Sequence, residues 1–144
     1  MRTLYAVWSW ILFTAVVIQV GLAGYGAFYA ANKLGDEGAT IDEDVFFDGF
    51  IAHALFGYLV ILTGLIFMIL GLIAGIGKWR LGVHGLLFGL LVLQMILAFI
   101  GFGVPAIGFL HPVNALLIFA LSGTVAWREW RLRRETHPEL APAA

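Results

Sequence analysis

Two histidines in apolar surroundings are the residues of this sequence best suited to chemistry. His53 opens the segment His53-Ala-Leu-Phe-Gly57 and His111 opens His111-Pro-Val-Asn-Ala115, so each is followed four positions later by a small residue. A neutral imidazole carries a lone pair that binds transition metals, including the iron of haem. Ionisable residues are costly inside apolar segments and usually have a partner there. The chemistry to consider is therefore metal binding by this pair.

Two glutamines precede the histidines, each in a similar short pattern. Gln19 begins Gln19-Val-Gly-Leu-Ala-Gly-Tyr-Gly26 and Gln94 begins Gln94-Met-Ile-Leu-Ala-Phe-Ile-Gly101, so both segments read Q-x-x-L-A-x-x-G. A side-chain amide at mid-membrane depth needs a hydrogen-bond partner. Hydrogen bonding between helices is the simpler interpretation of both amides, and contact with a cofactor or a quinone is the alternative.

Composition identifies the elements that must position these side chains. Of the 144 residues, 62% are hydrophobic and 12% are charged, whereas soluble domains have close to half apolar and about a quarter charged residues. Segments 5–30, 50–76, 82–103 and 108–128 are nearly free of charge. Each is long enough to cross about 30 Å of hydrocarbon as a helix. The sequence predicts an all-α membrane protein, a four-transmembrane-helix bundle, in contact with the lipid bilayer. Its single domain covers residues 1–134, and 135–144 form a short disordered tail.

The charges between the segments predict the direction of the helices. The 31–49 connection is acidic and holds one base, Lys33, whereas the 77–81 turn holds Lys78 and Arg80. Four further bases lie at or beyond the end of the last segment: Arg128, Arg131, Arg133 and Arg134. The positive-inside rule then places both termini and the 77–81 turn in the cytoplasm. We expect a multi-pass protein of the cell inner (plasma) membrane.

Composition also excludes several classes of function. The net charge of −1 gives no electrostatic reason for nucleic-acid binding. The chain has no cysteine, so it supplies neither disulfides nor thiolate ligands for iron. A small transporter is disfavoured because no acidic residue lies within a predicted span to carry a coupling proton.

The two predicted hairpins resemble each other and suggest an internal repeat. Each hairpin has an outward helix with a mid-membrane glutamine, followed by an inward helix that begins with a histidine. Both hairpins run through the membrane in the same direction, which defines a parallel repeat about an axis along the membrane normal. His53 and His111 would then be symmetry mates at equal depth near the outer side.

The faces that carry the histidines predict space for a flat, bulky group. At 100° per residue, Gly57 and Gly64 share the face of His53, and Ala115 and Ser122 share that of His111. The sequence therefore predicts a b-type cytochrome that binds one haem b, with both histidines as metal ligands. Two imidazoles leave no open iron position, which favours electron transfer over oxygen chemistry. The predicted cofactor-binding set is His53, His111, Gly57, Gly64, Ala115, Ser122, Gln19 and Gln94. Lys33, Asn114 and backbone N–H groups are the available donors to haem propionates.

Other interpretations of the same residues stay open. A cofactor-free structural or accessory subunit of a larger membrane complex is the main alternative, because glycines commonly serve helix packing in membranes. Zinc binding is weaker, since two histidines lack the usual four ligands and Asp48 lies outside the span. We interpret His84 as an interfacial side chain and His137 as solvated. A redox partner or quinone, self-association and catalysis are not decided by the sequence.

These residues resemble one half of the haem A synthase family over most of residues 10–128. In that family each four-helix half brings one histidine from its second helix and one from its fourth to the outer side, around a haem. His53 and His111 match those positions. In the family's catalytic half a glutamate precedes the first histidine by three residues and an arginine often follows it, where this chain has Phe50 and Ala54. The resemblance implies a haem-binding half module, similar to small bacterial relatives of the family, rather than the synthase reaction.

Overall fold

The computed structural model describes residues 2–35, 40 and 42–136, and the elements in this part of the chain are helices. The long ones are α1 (Arg2–Lys33), α2 (Glu43–Ile73), α3 (Lys78–Gly103) and α5 (Leu110–Thr136), and α4 (Pro105–Gly108) is a single short turn. Four helical segments are long and apolar enough to cross a membrane. The prediction of an all-α protein with four transmembrane helices is confirmed at this level.

The helix boundaries differ from the predicted segments in places. α2 begins at Glu43 rather than at residue 50, and it ends at Ile73 rather than at residue 76. α5 continues to Thr136, well past the predicted end of the last span at residue 128. Residues 135 and 136 of the predicted tail are therefore helical, and 137–144, with His137, lie outside the described residues.

Two glycines explain why α2 stops early. Gly75 and Gly77 adopt φ values of 60° and 89°, a left-handed region in which residues with a Cβ are strained. Ala74 closes the helix by donating its backbone N–H to the carbonyl of Leu70. The chain therefore reverses within a few residues, and α2 and α3 pack side by side in opposite directions.

A proline separates α3 from α5 at the other end of the bundle. Val104 is extended, with φ −135° and ψ 87°, because a residue before proline is disfavoured in the helical region. Pro105 then opens α4, where its missing N–H is not needed. A Cβ on Gly101 would lie 2.8 Å from the Cα of Gly108. The two glycines therefore allow the backbone to fold back closely here.

The first hairpin has its own close contact at the same end. A Cβ on Gly26 of α1 would lie 2.8 Å from the carbonyl oxygen of Gly49 in α2. α2 starts with Asp42 as its N-cap, whose carboxylate accepts a hydrogen bond from the backbone N–H of Val45 at 2.9 Å. Negative charge is favourable at a helix N-terminus. The cap and the glycines fix where α1 and α2 meet.

The four long helices form an antiparallel bundle in which α1 and α3 each contact both α2 and α5. The start of α1, the α2–α3 turn and the last turns of α5 lie together at what we call the arginine-rich end, where Arg80 pairs with Glu129. The start of α2 and α4 lie at the opposite end, which we call the acidic end after Asp42, Glu43 and Asp44. An apolar layer fills the middle of the bundle: Leu12, Val16, Val60, Leu87, Leu91 and Ile118.

Candidate functional site

His53 and His111 meet inside the bundle near the acidic end. Their ring centroids are 6.3 Å apart and the ring planes are inclined by 68°. Both side chains are half-buried and line a cavity of about 460 Å³ between the helices. This volume falls within the roughly 300–1,000 Å³ of ligand and cofactor pockets. The structure thus brings together the two histidines that the sequence singled out.

The same hydrogen bond orients both imidazoles. Nδ1 of His53 lies 3.1 Å from the backbone carbonyl oxygen of Gln19, and Nδ1 of His111 lies 3.0 Å from that of Gln94. A carbonyl oxygen only accepts, so Nδ1 carries the proton and Nε2 of a neutral ring keeps the lone pair. Histidines that bind metals usually donate their other ring N–H to a carbonyl or carboxylate in this way. Each ring is therefore held with Nε2 as its basic nitrogen.

The Gln19 amide crosses from α1 to the backbone of α2. Its Nε2 donates to the carbonyl oxygen of His53 at 2.9 Å and also to Nε2 of the His53 ring at 3.4 Å, so this ring nitrogen accepts a hydrogen bond from Gln19. A Cβ at position 57 would be 3.2 Å from this amide nitrogen, so Gly57 leaves room for the crossing. Oε1 of Gln19 is buried and has no hydrogen-bond partner among the described residues.

The Gln94 amide has a different partner in the second hairpin. Oε1 of Gln94 accepts a hydrogen bond from Nδ2 of Asn114 at 2.7 Å, and the same nitrogen donates to the carbonyl of Leu90 at 2.9 Å. Hydrogen bonding between helices, the simpler interpretation of both glutamines, is confirmed. Asn114 is buried with both N–H groups used inside the bundle. Its interpretation as a donor to propionates is therefore wrong.

Three phenylalanines line the cavity toward the acidic end, and the sequence did not predict them as cavity residues. Phe46 stacks on Phe50 at 4.8 Å and meets Phe102 of α3 edge to face at 6.0 Å. Phe50 in turn lies 6.3 Å from the ring of His53. The signal was available in the spacing, because positions 46, 50, 53 and 57 follow one helix face. These rings form the part of the cavity lining nearest the acidic end.

The last two predicted site residues lie away from the cavity. Gly64 faces the side chains of Leu91 and Phe88, and a Cβ there would overlap Leu91. Ser122 is buried and its hydroxyl donates to the carbonyl of Phe119 at 3.1 Å. The prediction that these two residues share a helix face with the histidines was correct. At their depth in the bundle, however, neighbouring helices approach each other closely, so neither residue borders the cavity. The residues of the predicted set that do line the cavity are His53, His111, Gly57, Ala115, Gln19 and Gln94.

A second polar cluster lies at the arginine-rich end, and it corrects the interpretation of His84. This side chain is only 2% exposed, and the hydroxyl of Tyr5 lies 2.8 Å from Nδ1 and 2.9 Å from Nε2 of its ring. Arg80 forms an ion pair with Glu129, which is 4% exposed. Glu129 lies beyond the predicted span among arginines, so no sequence pattern predicted that it would be buried.

The structure offers no support for a multi-ligand metal site of the zinc type. Within the described residues, no group of three or more histidine, cysteine or acidic side chains is placed to hold a metal ion. Asp48, the third ligand considered for zinc, is exposed.

Comparison with known proteins gives no relative for this chain. No protein-family model, no curated protein and no solved structure matches it significantly. The function is therefore argued from the cavity itself.

Proposed function

We propose that this chain is a membrane-embedded b-type cytochrome that binds one haem b through His53 and His111 and transfers electrons. The observation that carries the proposal is the matched orientation of the two imidazoles in one cavity. Each Nδ1 donates to a glutamine carbonyl, which leaves Nε2 as the basic nitrogen on both rings. Haem, when bound, supplies an iron that exchanges one electron between its ferric and ferrous states.

The separation of the rings fits one metal ion between them. With metal–nitrogen bonds of about 2 Å and each nitrogen roughly 1 Å from its ring centre, two such imidazoles have centres about 6 Å apart. The observed centroid separation is 6.3 Å. Two protein ligands also suit a macrocycle that already provides four nitrogens, whereas they are too few for zinc.

Other residues of the cavity would leave room for a flat group. Gly57 and Ala115 line the cavity one turn after the two histidines, where larger side chains would occupy its volume. Phe50 and Phe102 also line the cavity, toward the acidic end.

Several observations support the parallel repeat that pairs the two histidines. Each hairpin has the same bond from a histidine Nδ1 to a glutamine backbone carbonyl. Gly26 and Gly101, which end the two Q-x-x-L-A-x-x-G segments, both lie where the backbone of their own half approaches most closely. With the arginine-rich end in the cytoplasm, as the positive-inside rule favours, the cavity lies near the outer side of the plasma membrane.

Haem content of the purified protein tests the proposal. The protein is expressed in haem-replete cells, and haem is assayed as the pyridine complex against protein concentration. We expect one haem b per chain in the unmodified protein and loss of most of it in both His53→Ala and His111→Ala. His84→Gln, which keeps an acceptor for Tyr5 outside the cavity, is the matched control and should retain haem. Loss of haem in the control but not in His111→Ala would contradict the ligand assignment.

One observation favours the cofactor-free alternative. The acidic end is poor in the bases that would pair with propionates, since Lys33 is the one base of the 31–49 connection. Its ammonium lies 5.7 Å from the ring centre of Tyr29. A monodisperse, folded protein without colour from haem-replete cells would support a structural or accessory subunit instead.

A further inference from the structure

A groove runs along the lipid-facing side of the bundle between α1 and α2, away from the histidine cavity. It has a volume of about 950 Å³. Trp8 forms part of its floor because its indole N–H donates to the carbonyl of Thr63 in α2 at 3.1 Å. Ala15 widens the groove further along α1, where a larger residue would fill it. The groove is also lined by Val7, Thr14, Ile18 and Trp130.

The length of the groove matches one leaflet of a bilayer. From Val7 to Ile18 it follows α1 for roughly 16 Å at 1.5 Å per residue. Half of a hydrocarbon core of about 30 Å is nearly the same length. An apolar occupant would meet two hydroxyls in this region, those of Thr14 and Thr63. The hydroxyl of Thr63 already donates a hydrogen bond to the backbone carbonyl of Leu59 at 2.7 Å. The groove therefore suits a single extended acyl chain.

Two arginine side chains lie at the arginine-rich end of the same groove. Trp130 lines the groove, and the guanidinium carbons of Arg133 and Arg134 lie 4.7 Å and 5.9 Å from the centre of its ring. A guanidinium binds phosphate oxygens through a planar fork of N–H donors. The end of the acyl-sized groove is thus the place where a lipid phosphate would meet two cations.

We infer that this groove is a binding site for an anionic phospholipid, with one acyl chain between α1 and α2 and the headgroup phosphate at Arg133 and Arg134. The inference is independent of the haem proposal, because none of these residues lines the histidine cavity. A second copy of the chain fits this surface less well. A twofold contact through the groove would bring the arginines of both copies together, and like charges repel.

Native mass spectrometry of the detergent-solubilised protein with phosphatidylglycerol or phosphatidylcholine of the same acyl chains tests the inference. The unmodified protein should retain phosphatidylglycerol at least about tenfold more tightly, since each arginine near an anionic headgroup contributes about 1 kcal/mol. The double variant Arg133→Gln/Arg134→Gln should lose this preference. Arg131→Gln is the control, because Arg131 pairs with Glu135 and lies over Trp127 rather than Trp130.

A second variant separates the groove from surface charge. Thr14 is exposed and lines the groove, so Thr14→Trp fills the groove without altering charge. It should weaken the binding of both lipids about equally. Unchanged phosphatidylglycerol binding in Thr14→Trp, or equal losses in Arg131→Gln and the double variant, would overturn the inference and indicate attraction by net surface charge alone.

Discussion

At the scale of single residues, the site depends on backbone carbonyls that orient two rings. The imidazoles are useful because Gln19 and Gln94 each present a carbonyl oxygen to Nδ1. The small residue one helical turn after each histidine leaves cavity volume that a larger side chain would occupy. Position 115 tests this point better than position 57, because a side chain at 57 would also press on the Gln19 amide.

Ala115→Phe should fill the cavity while leaving both histidines in place. Overfilling a packed site costs about 1–3 kcal/mol, which corresponds to about fivefold to a hundredfold in affinity. We therefore expect haem content to fall at least about fivefold, measured as haem per chain after purification. Ala120→Phe is the control, because Ala120 is exposed on the same helix. Equal haem content in both variants would show that position 115 does not border the haem.

Glu129 is the buried acid of the arginine-rich end, and its pairing with Arg80 should dominate local stability. Removing one partner of a buried ion pair leaves an uncompensated charge and costs about 3–5 kcal/mol. We expect Glu129→Gln to lower the thermal unfolding temperature clearly, and adding Arg80→Gln to recover part of the loss. Glu135→Gln is the control, because its pair with Arg131 is exposed and should contribute no more than about 1 kcal/mol. Equal effects of the two glutamate variants would contradict this account.

At the scale of the elements, glycines decide how closely the helices of each hairpin approach. Gly101 and Gly89 both belong to α3, yet their surroundings differ. A Cβ on Gly101 would meet the Cα of Gly108 at 2.8 Å, whereas a Cβ on Gly89 would meet no atom within 4 Å. Backbone atoms cannot move aside as a flexible side chain can, so the turn through Pro105 would have to shift.

The two glycines of α3 therefore predict opposite outcomes for the same substitution. Gly101→Ala should destabilise the protein, because the second hairpin must open. Gly89→Ala should be neutral or stabilising by up to about 1 kcal/mol, since alanine is the better helix former. The thermal unfolding temperature in detergent measures the change in stability of each variant. A loss of stability in Gly89→Ala as large as in Gly101→Ala would mean that helix contacts differ from those described.

At the scale of the whole molecule, the sequence predicted the helices and the histidine pair because both follow from periodic patterns. Long uncharged segments determine the spans, and two histidines near the same end of the second and fourth spans come together once the helices pack. The same patterns did not predict the burial of His84 and Glu129, because burial there depends on Tyr5 and Arg80 from other helices. Gly64 and Ser122 share the correct faces, yet depth along the helix determines whether a small residue borders a cavity or another helix.

The polar groups of the bundle fall into two layers with apolar packing between them. The histidine cavity and the His84 cluster are roughly 27 Å apart along α2, measured from His53 to Gly71 at 1.5 Å per residue. Side chains such as Leu12, Leu87 and Leu91 fill the space between.

The central claim is that the bundle binds haem between His53 and His111, and the absorption spectrum of the purified protein tests it most directly. The oxidised and dithionite-reduced protein should show the narrow reduced α and β bands of a six-coordinate b-type haem. These bands should disappear in His53→Ala and in His111→Ala, while His84→Gln keeps them. A folded protein from haem-replete cells that shows no such bands in either state would contradict the claim.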